Sequence, residues 1–512
     1  MAQPEKRDVS RRGFMKYVVG LVAALIAAVA GYRLLGGRRE ETQETLAPST
    51  TTAKPPTTTT KPATTTAPLT TLSAEGYADM ILMNGKVLTV DPNDSVVEAV
   101  AVKDGRIQAA GSYDELKRLV GPSTRQVDLK GKAVTPGLVD SHLHMQYYGK
   151  QFQDKLFDIR FPTVKTRDEL IRTVQKHLAT AQKGEWVAGN QGFIIGDPPD
   201  RWELDKIAPD NPLFLLHASG QFAVANSLAL KLAGIGKDTP NPYGGLIDKD
   251  DSTGEPTGFL YHYPAIDMVR RLIPGIGVVT EEDKTGFVLG GANRCFEAGY
   301  TSVEDVIIAT SDDVNLYMDL AKEGKLPINV YMLQYVQSLQ DAETKLGKAD
   351  HWKGKNYNFA GWKIAVDGGA SAGTLLMYDR ELRVSQRSYL YHTQETLNEM
   401  VAMFHKEGYQ VAFHVGGDKA IDMALDAIEY ALEKTPRADH RHRLEHAIVP
   451  TAEALDRIKK LGVVVSAQPQ WITFFGKAWA DGLGEEYTKR FMPFKTMLDK
   501  GIPLAFGCDV PA

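Results

Sequence analysis

The sequence predicts an α/β fold: a (β/α)8 TIM-type barrel, a small β domain ahead of it, and a long insertion after the first barrel strand. Three observations predict it. Short β-type runs separated by glycine-containing turns fill residues 77–133. From residue 134 strand-like runs alternate with helical ones, the pattern of a parallel sheet with crossover helices. The interval 145–279 is too long for a simple connection and is rich in Gly, Pro and aromatic residues. The composition agrees: 512 residues with 43% hydrophobic and 24% charged can bury a large core. Lys and Arg total 59 against 64 Asp and Glu, a net charge of -5, which argues against an extensive nucleic-acid-binding surface. The two cysteines, Cys295 and Cys508, exclude both a disulfide scaffold and a four-Cys zinc site. A bound metal must therefore rely on carboxylates and on the 12 histidines.

The first 36 residues read as an address. Ser10-Arg11-Arg12-Gly13-Phe14-Met15-Lys16, followed by the uncharged run 17–32, has the form of a twin-arginine export signal, with the export machinery as its partner. The same run would serve as a membrane tether, although it is slightly short for a full span. Ala28-Val29-Ala30 offers a cleavage site, and whether it is cut is left open. Twin-arginine export moves folded proteins, which suits a chain that acquires a cofactor first. Residues 37–76 are Thr- and Pro-rich, with too few apolar side chains to offset chain entropy, and read as an extended stalk. The body is thus expected outside the cytoplasmic membrane, secreted or anchored.

Within the small domain (77–133), β runs are expected at 80–84, 86–90, 97–103, 106–110 and 126–129. Asn84-Gly85 and Asp104-Gly105 act as hairpin turns of one antiparallel sheet. In the barrel (134–512), strands are expected to end near His142, Val306, Tyr335, Asp367, His414, His446, Gln468 and Asp509, with helices such as 397–407 and 419–434 between them. Functional residues of such barrels sit at the strand C-terminal ends. The insertion reads as a lid over that mouth.

The chemistry begins at Thr135-Pro136-Gly137-Leu138-Val139-Asp140-Ser141-His142-Leu143-His144. Strand residues two apart share a face, so His142 and His144 can reach one metal. His440-Arg441-His442 has the same spacing but reads as a polar loop entering a strand. The first pair is distinguished by its place after a Pro-Gly turn, where the small domain meets the barrel.

From residue 79 to 512 the chain resembles the amidohydrolase superfamily, in particular the branch that includes N-substituted formamide deformylase. The resemblance lies in that first motif, Ala223-Val224-Ala225-Asn226-Ser227, Gly254-Glu255-Pro256-Thr257-Gly258, Lys363 with Asp367-Gly368, Phe413-His414-Val415-Gly416-Gly417-Asp418, Arg443-Leu444-Glu445-His446-Ala447 and Cys508-Asp509-Val510-Pro511. It implies that His142 and His144 bind one metal and His414 and His446 a second. Asp509 would bind the first metal and shuttle protons. Lys363 would be carboxylated and bridge both ions, an anionic oxygen donor made from a cation. Read from the residues alone, Lys363 can equally be a lysine paired with Asp367. His446, or the metal itself, would stabilise the oxyanion.

Gln221 stands where relatives often have His, and it and His262 are the substrate-binding candidates. Trp186, Phe193, Trp202 and Tyr261, with His262, either line the pocket or pack the insertion's core, and packing is the more ordinary use. Cys508 should face away from the site, and both cysteines read as small buried residues. The chain stops three residues after Asp509, whereas the resemblance implies a last helix and the second half of a small β-sandwich. The sequence is accordingly expected to be a fragment of an active enzyme.

The resulting expectation is a metal-dependent hydrolase of non-peptide C–N bonds: an N-substituted amide, formamide or cyclic amide cleaved by metal-activated hydroxide, with one or two divalent ions, zinc by preference. A one-metal deaminase is the enzymatic alternative. An exported non-catalytic binding protein or inactive fragment is the other, and the intact Asp509 speaks for the enzyme.

Overall fold

The computed structural model describes residues 76–510, except 152–155, 162, 196, 275, 277–278, 351 and 389. The export signal and all but the last residue of the stalk lie outside the described residues.

The small domain differs from the single antiparallel sheet read from sequence. It has a four-stranded sheet in the order Arg106–Gly111, Ala99–Lys103, Met80–Met83, Arg125–Asp128, and a three-stranded one of Val96–Val97, Lys86–Leu88, Ala133–Val134. Met80–Met83 pairs antiparallel with Ala99–Lys103 but parallel with Arg125–Asp128. Asp104-Gly105 does make its hairpin, both residues having positive φ (50° and 71°), as a type I′ turn requires. Asn84-Gly85 does not. The N–H groups of Gly85 and Lys86 donate to Glu98 and Lys132, so the chain crosses from one sheet to the other instead of folding back.

Eight parallel strands form a nearly closed barrel: β1 Leu138–Leu143, β2 Tyr300–Ile308, β3 Asn329–Val336, β4 Tyr357–Ala365, β5 Gln410–Val415, β6 Arg443–His446, β7 Val464–Ala467 and β8 Leu504–Phe506. Each ends within three residues of its expected position. The β1–β8 seam is joined just past the strand ends, where Asp509 N–H donates to the His142 carbonyl (2.7 Å) and His144 N–H to that of Val510 (2.9 Å). The Asp140 carboxylate adds a clasp, accepting the N–H groups of His142 (3.0 Å) and Cys508 (3.1 Å).

Alternation along the strands divides the barrel. Met332, Ile364, Phe413, Leu444 and Val465 belong to the large core shared with the helices. Their neighbours Lys363, Arg443, Glu445 and Ser466 are also buried, and they form a polar interior. The expected helices run over Gln394–Lys406 and Asp418–Lys434.

The insertion has a five-stranded sheet in the order Leu246–Lys249, Pro256–Tyr261, Phe222–Ala225, Leu213–His217, Val187–Phe193, with hydrophobic clusters of its own. At its start, α1 (Met145–Lys150) follows the His142/His144 strand and lies against α2 (Glu281–Glu297). The contact is close because both sides are glycine: a Cβ on Gly149 would stand 1.8 Å from the Phe287 carbonyl oxygen, and one on Gly291 2.2 Å from that of Met145. Buried Asp305 on β2 holds the start of α1, accepting the Met145 N–H (3.1 Å) and the Tyr317 hydroxyl (2.5 Å).

Candidate metal centre

The ends of β1 and β8 bring His142, His144 and Asp509 together, one ligand atom from each lying within 4.8 Å of the others. Asp509 Oδ1 is 2.9 Å from His144 Nε2 and 3.3 Å from His142 Nε2. It nonetheless has no hydrogen bond of acceptable geometry among the described residues, and neither has His144 Nδ1. Three donors aimed at one point without satisfying one another fit a cation between them. His142 Nδ1 donates to Glu445 Oε2 (2.6 Å), which leaves the Nε2 lone pair for that point. Burial opposes ionisation of Asp509, but the two imidazoles outweigh it and hold the carboxyl well below the usual range.

A second pair meets beside it. His414 Nε2 donates to the Gly368 carbonyl (3.2 Å) and His446 Nδ1 to Gln468 Oε1 (2.7 Å). Burial keeps both rings neutral, pushing His414 down to about 3 and His446 well below the usual value. The remaining nitrogens, His414 Nδ1 and His446 Nε2, are then both lone-pair acceptors, yet they face each other at 2.9 Å. With the protons placed this way, a metal ion between the two nitrogens would satisfy both.

Lys363 lies in the same cavity, fully buried, its Nζ without a hydrogen-bond partner among the described residues. The alternative in which it pairs with Asp367 fails. The Asp367 carboxylate is occupied by the N–H groups of Leu376 (3.0 Å), Gly416 and Gly417 (both 2.9 Å). Burial lowers Lys363 to about 8, toward the neutral amine that carboxylation requires.

Two candidate ligands reach the site through uncommon backbone conformations: His446 at the end of β6 has φ 73° and Asp509 beyond β8 has φ 51°. Left-handed backbone is costly for non-glycine residues and recurs at functional sites. Nothing in residue type announces it.

Ser219, Gln221 and Tyr263 of the insertion, with Tyr147 of α1 and Ile307 of β2, complete the cavity around the ligands. A second, more apolar cavity shares Ser219, Gln221, His414, His446 and Asp509 with it and is walled by Ile448, Trp471, Phe475 and Trp479. The ring of His446 stacks on Trp471 at 4.9 Å. Gln221 therefore stands at the site, while His262 is buried behind it, with Nδ1 3.1 Å from Gln221 Oε1.

The other aromatic candidates do not line this cavity. Phe193 and Tyr261 pack in the insertion's core, Trp186 packs against its second cluster, and Trp202 is at the surface under the Arg201 guanidinium. The aromatic wall comes instead from the helix Gln470–Thr488, where positions 471, 475 and 479 repeat every four residues along one face. That periodicity was legible in the sequence. Cys295 is buried as expected, whereas Cys508 is only half-buried.

The second His-x-His pair lies in the loop that enters β6, as expected, with Arg441 exposed between the two imidazoles. His440 and His442 are buried at the opposite end of β6. His405 Nε2 donates to the Thr435 carbonyl (2.6 Å), His442 Nε2 to His405 Nδ1 (2.8 Å) and His440 Nε2 to the Leu461 carbonyl (2.8 Å). The free acceptors His442 Nδ1 and His440 Nδ1 take the N–H groups of Val411 and His442. All six ring nitrogens are satisfied, leaving no lone pair for a metal.

Comparison with known proteins agrees with this geometry. The amidohydrolase family pattern matches residues 125–512. LONG AFTER FAR-RED 3 of Arabidopsis thaliana is 31% identical over 453 residues, covering 85% of this chain and 75% of that protein. N-substituted formamide deformylase of Arthrobacter pascens is 31% identical over 449 residues, covering 85% and 81%. Among solved structures, an uncharacterized metal-dependent hydrolase from Pyrococcus horikoshii superposes with a TM-score of 0.63 at 28% identity, covering 84% of this chain and 83% of that one. On the family match across the whole barrel, the chain belongs to the amidohydrolase family and is a metal-dependent hydrolase.

Proposed function

We propose that the chain hydrolyses the C–N bond of an N-substituted amide or formamide at this centre. Zinc would be held by His142, His144 and Asp509 on one side and by His414, His446 and a carboxylated Lys363 on the other. The observation that carries this reading is the convergence of His142, His144 and Asp509 on one point, beside a second imidazole pair 2.9 Å apart and the buried, unpartnered Lys363 amine. When bound, the metal lowers the pKa of water toward about 7 and polarises the scissile carbonyl.

The chain's own residues do the rest. Asp509, held ionised and with Oδ1 otherwise unbonded, takes a proton from the attacking water and delivers it to the leaving nitrogen. His446 acts as a ligand, because its one proton is committed to Gln468. Gln221, braced by His262, donates or accepts a hydrogen bond at the reacting amide, and the wall of Trp471, Phe475 and Trp479 receives an apolar N-substituent and keeps water away. The motif in residues 10–16 and the stalk after it support placement outside the cytoplasmic membrane; fractionation of producing cells checks that part.

The test is amine release from a panel of N-substituted formamides, acetamides and cyclic amides by the zinc-loaded chain. Turnover of at least one class is expected. A folded, metal-loaded protein that releases amine from none would contradict the reading.

A further inference from the structure

Beneath the ligand atoms runs a row of buried charge that takes no part in the proposed hydrolysis. His142 Nδ1 donates to Glu445 Oε2 at 2.6 Å, and the other carboxylate oxygen, Oε1, accepts Arg443 Nε at 2.5 Å. Arg443 Nη1 continues to Glu304, and its Nη2 donates to the Ser141 carbonyl at 3.2 Å. The row crosses β6, β2 and β1. Glu445 at 0%, His142 at 1% and Arg443 at 5% exposure are shut from water, and Glu304 at the far end is partly buried.

Burying an ion pair in a barrel interior is a poor route to stability, because desolvation consumes most of the Coulomb gain. Two carboxylates share one guanidinium here, and the inner one is the carboxylate that holds His142. Packing alone would be served as well by apolar side chains. Orienting an imidazole would not. A carboxylate on Nδ1 makes that nitrogen the proton carrier and fixes the ring plane, so the Nε2 lone pair points at Asp509 and His144.

We infer that Glu445 is a positioning residue for metal binding, fixing the tautomer and orientation of His142, and that Arg443, anchored by Glu304, fixes Glu445 in turn. This rests on the metal reading of the site given above.

The test uses the full chain and zinc as the probe, with affinity read by chelator competition and, separately, the rise in Tm that zinc produces. In Glu445→Gln one acceptor and one donor must face two donors, His142 Nδ1–H and Arg443 Nε–H. Zinc affinity should fall about 10–100-fold, and the zinc-dependent rise in Tm should shrink. A purely structural role would lower the Tm of metal-free and loaded protein alike and leave that rise unchanged. Glu304→Gln, one step back, should lose affinity in the same direction by about threefold or more, and it carries the test if Glu445→Gln does not fold. Affinity within about twofold of wild type in the folded variants overturns the inference while sparing the metal reading; a wild-type chain that takes up no zinc overturns both.

Discussion

Asp509 is asked to be ligand, proton acceptor and proton donor from a backbone conformation that few side chains tolerate. Asparagine there keeps an oxygen donor and the size of the side chain but cannot carry a proton between water and the leaving nitrogen. Asp509→Asn is therefore expected to retain most of its metal by elemental analysis and to lose turnover by about 10²–10⁴-fold; an active Asn variant would remove the shuttle role. At Trp471, truncation to Ala should raise KM for substrates with bulky apolar N-substituents by about 10-fold or more and barely affect small ones. An equal effect on both would mean that the wall supports His446 and does not bind substrate. That His142, His144, His414, His446 and Asp509 sit at barrel strand ends was legible in the sequence, from strand position and the family resemblance. Glu445 and Gln468 were not, because their meaning lies in contacts across the barrel, 303 residues apart for His142 and Glu445.

At the scale of elements, alternating strand and helix patterns located all eight barrel strands, because each is a continuous run bounded by its own helix. The small domain was misread where pairing is not local. The run 97–103 is one β stretch in sequence but serves two sheets, and Asn84-Gly85 has hairpin chemistry without a partner strand on its far side. The α1–α2 contact was likewise invisible, since it depends on two glycines 142 positions apart. Gly291→Ala would place a methyl against the Met145 carbonyl, one residue after His144. We expect a loss of about 1–3 kcal/mol in urea unfolding together with weaker metal retention. A variant as stable as wild type would show that the helices part without cost.

Across the whole molecule, the His405, His442 and His440 network ties the helix Gln394–Lys406 to the base of β6 and to the turn before Gly462. Burial, then neighbouring His440 and His405, holds His442 well below its ordinary value. The folded state thus binds fewer protons than the unfolded chain below pH about 6.5. This contribution to stability is complete above that pH and is lost as the pH falls, at up to about 1.4 kcal/mol per pH unit for the one residue. Glutamine can accept from Val411 and donate to His405 without titrating. His442→Gln should therefore show a flatter decline of Tm between pH 6.5 and 5 than wild type; parallel curves would contradict the assignment.

Everything proposed for catalysis depends on a cation held by His142, His144 and Asp509 and by His414, His446 and Lys363. Elemental analysis of the full chain, purified without added metal and then after zinc loading, measures this. About two zinc ions per chain, with loss of one set's occupancy in His414→Ala and of the other's in His142→Ala, is the result expected. A folded chain that holds no divalent metal under either condition would contradict it.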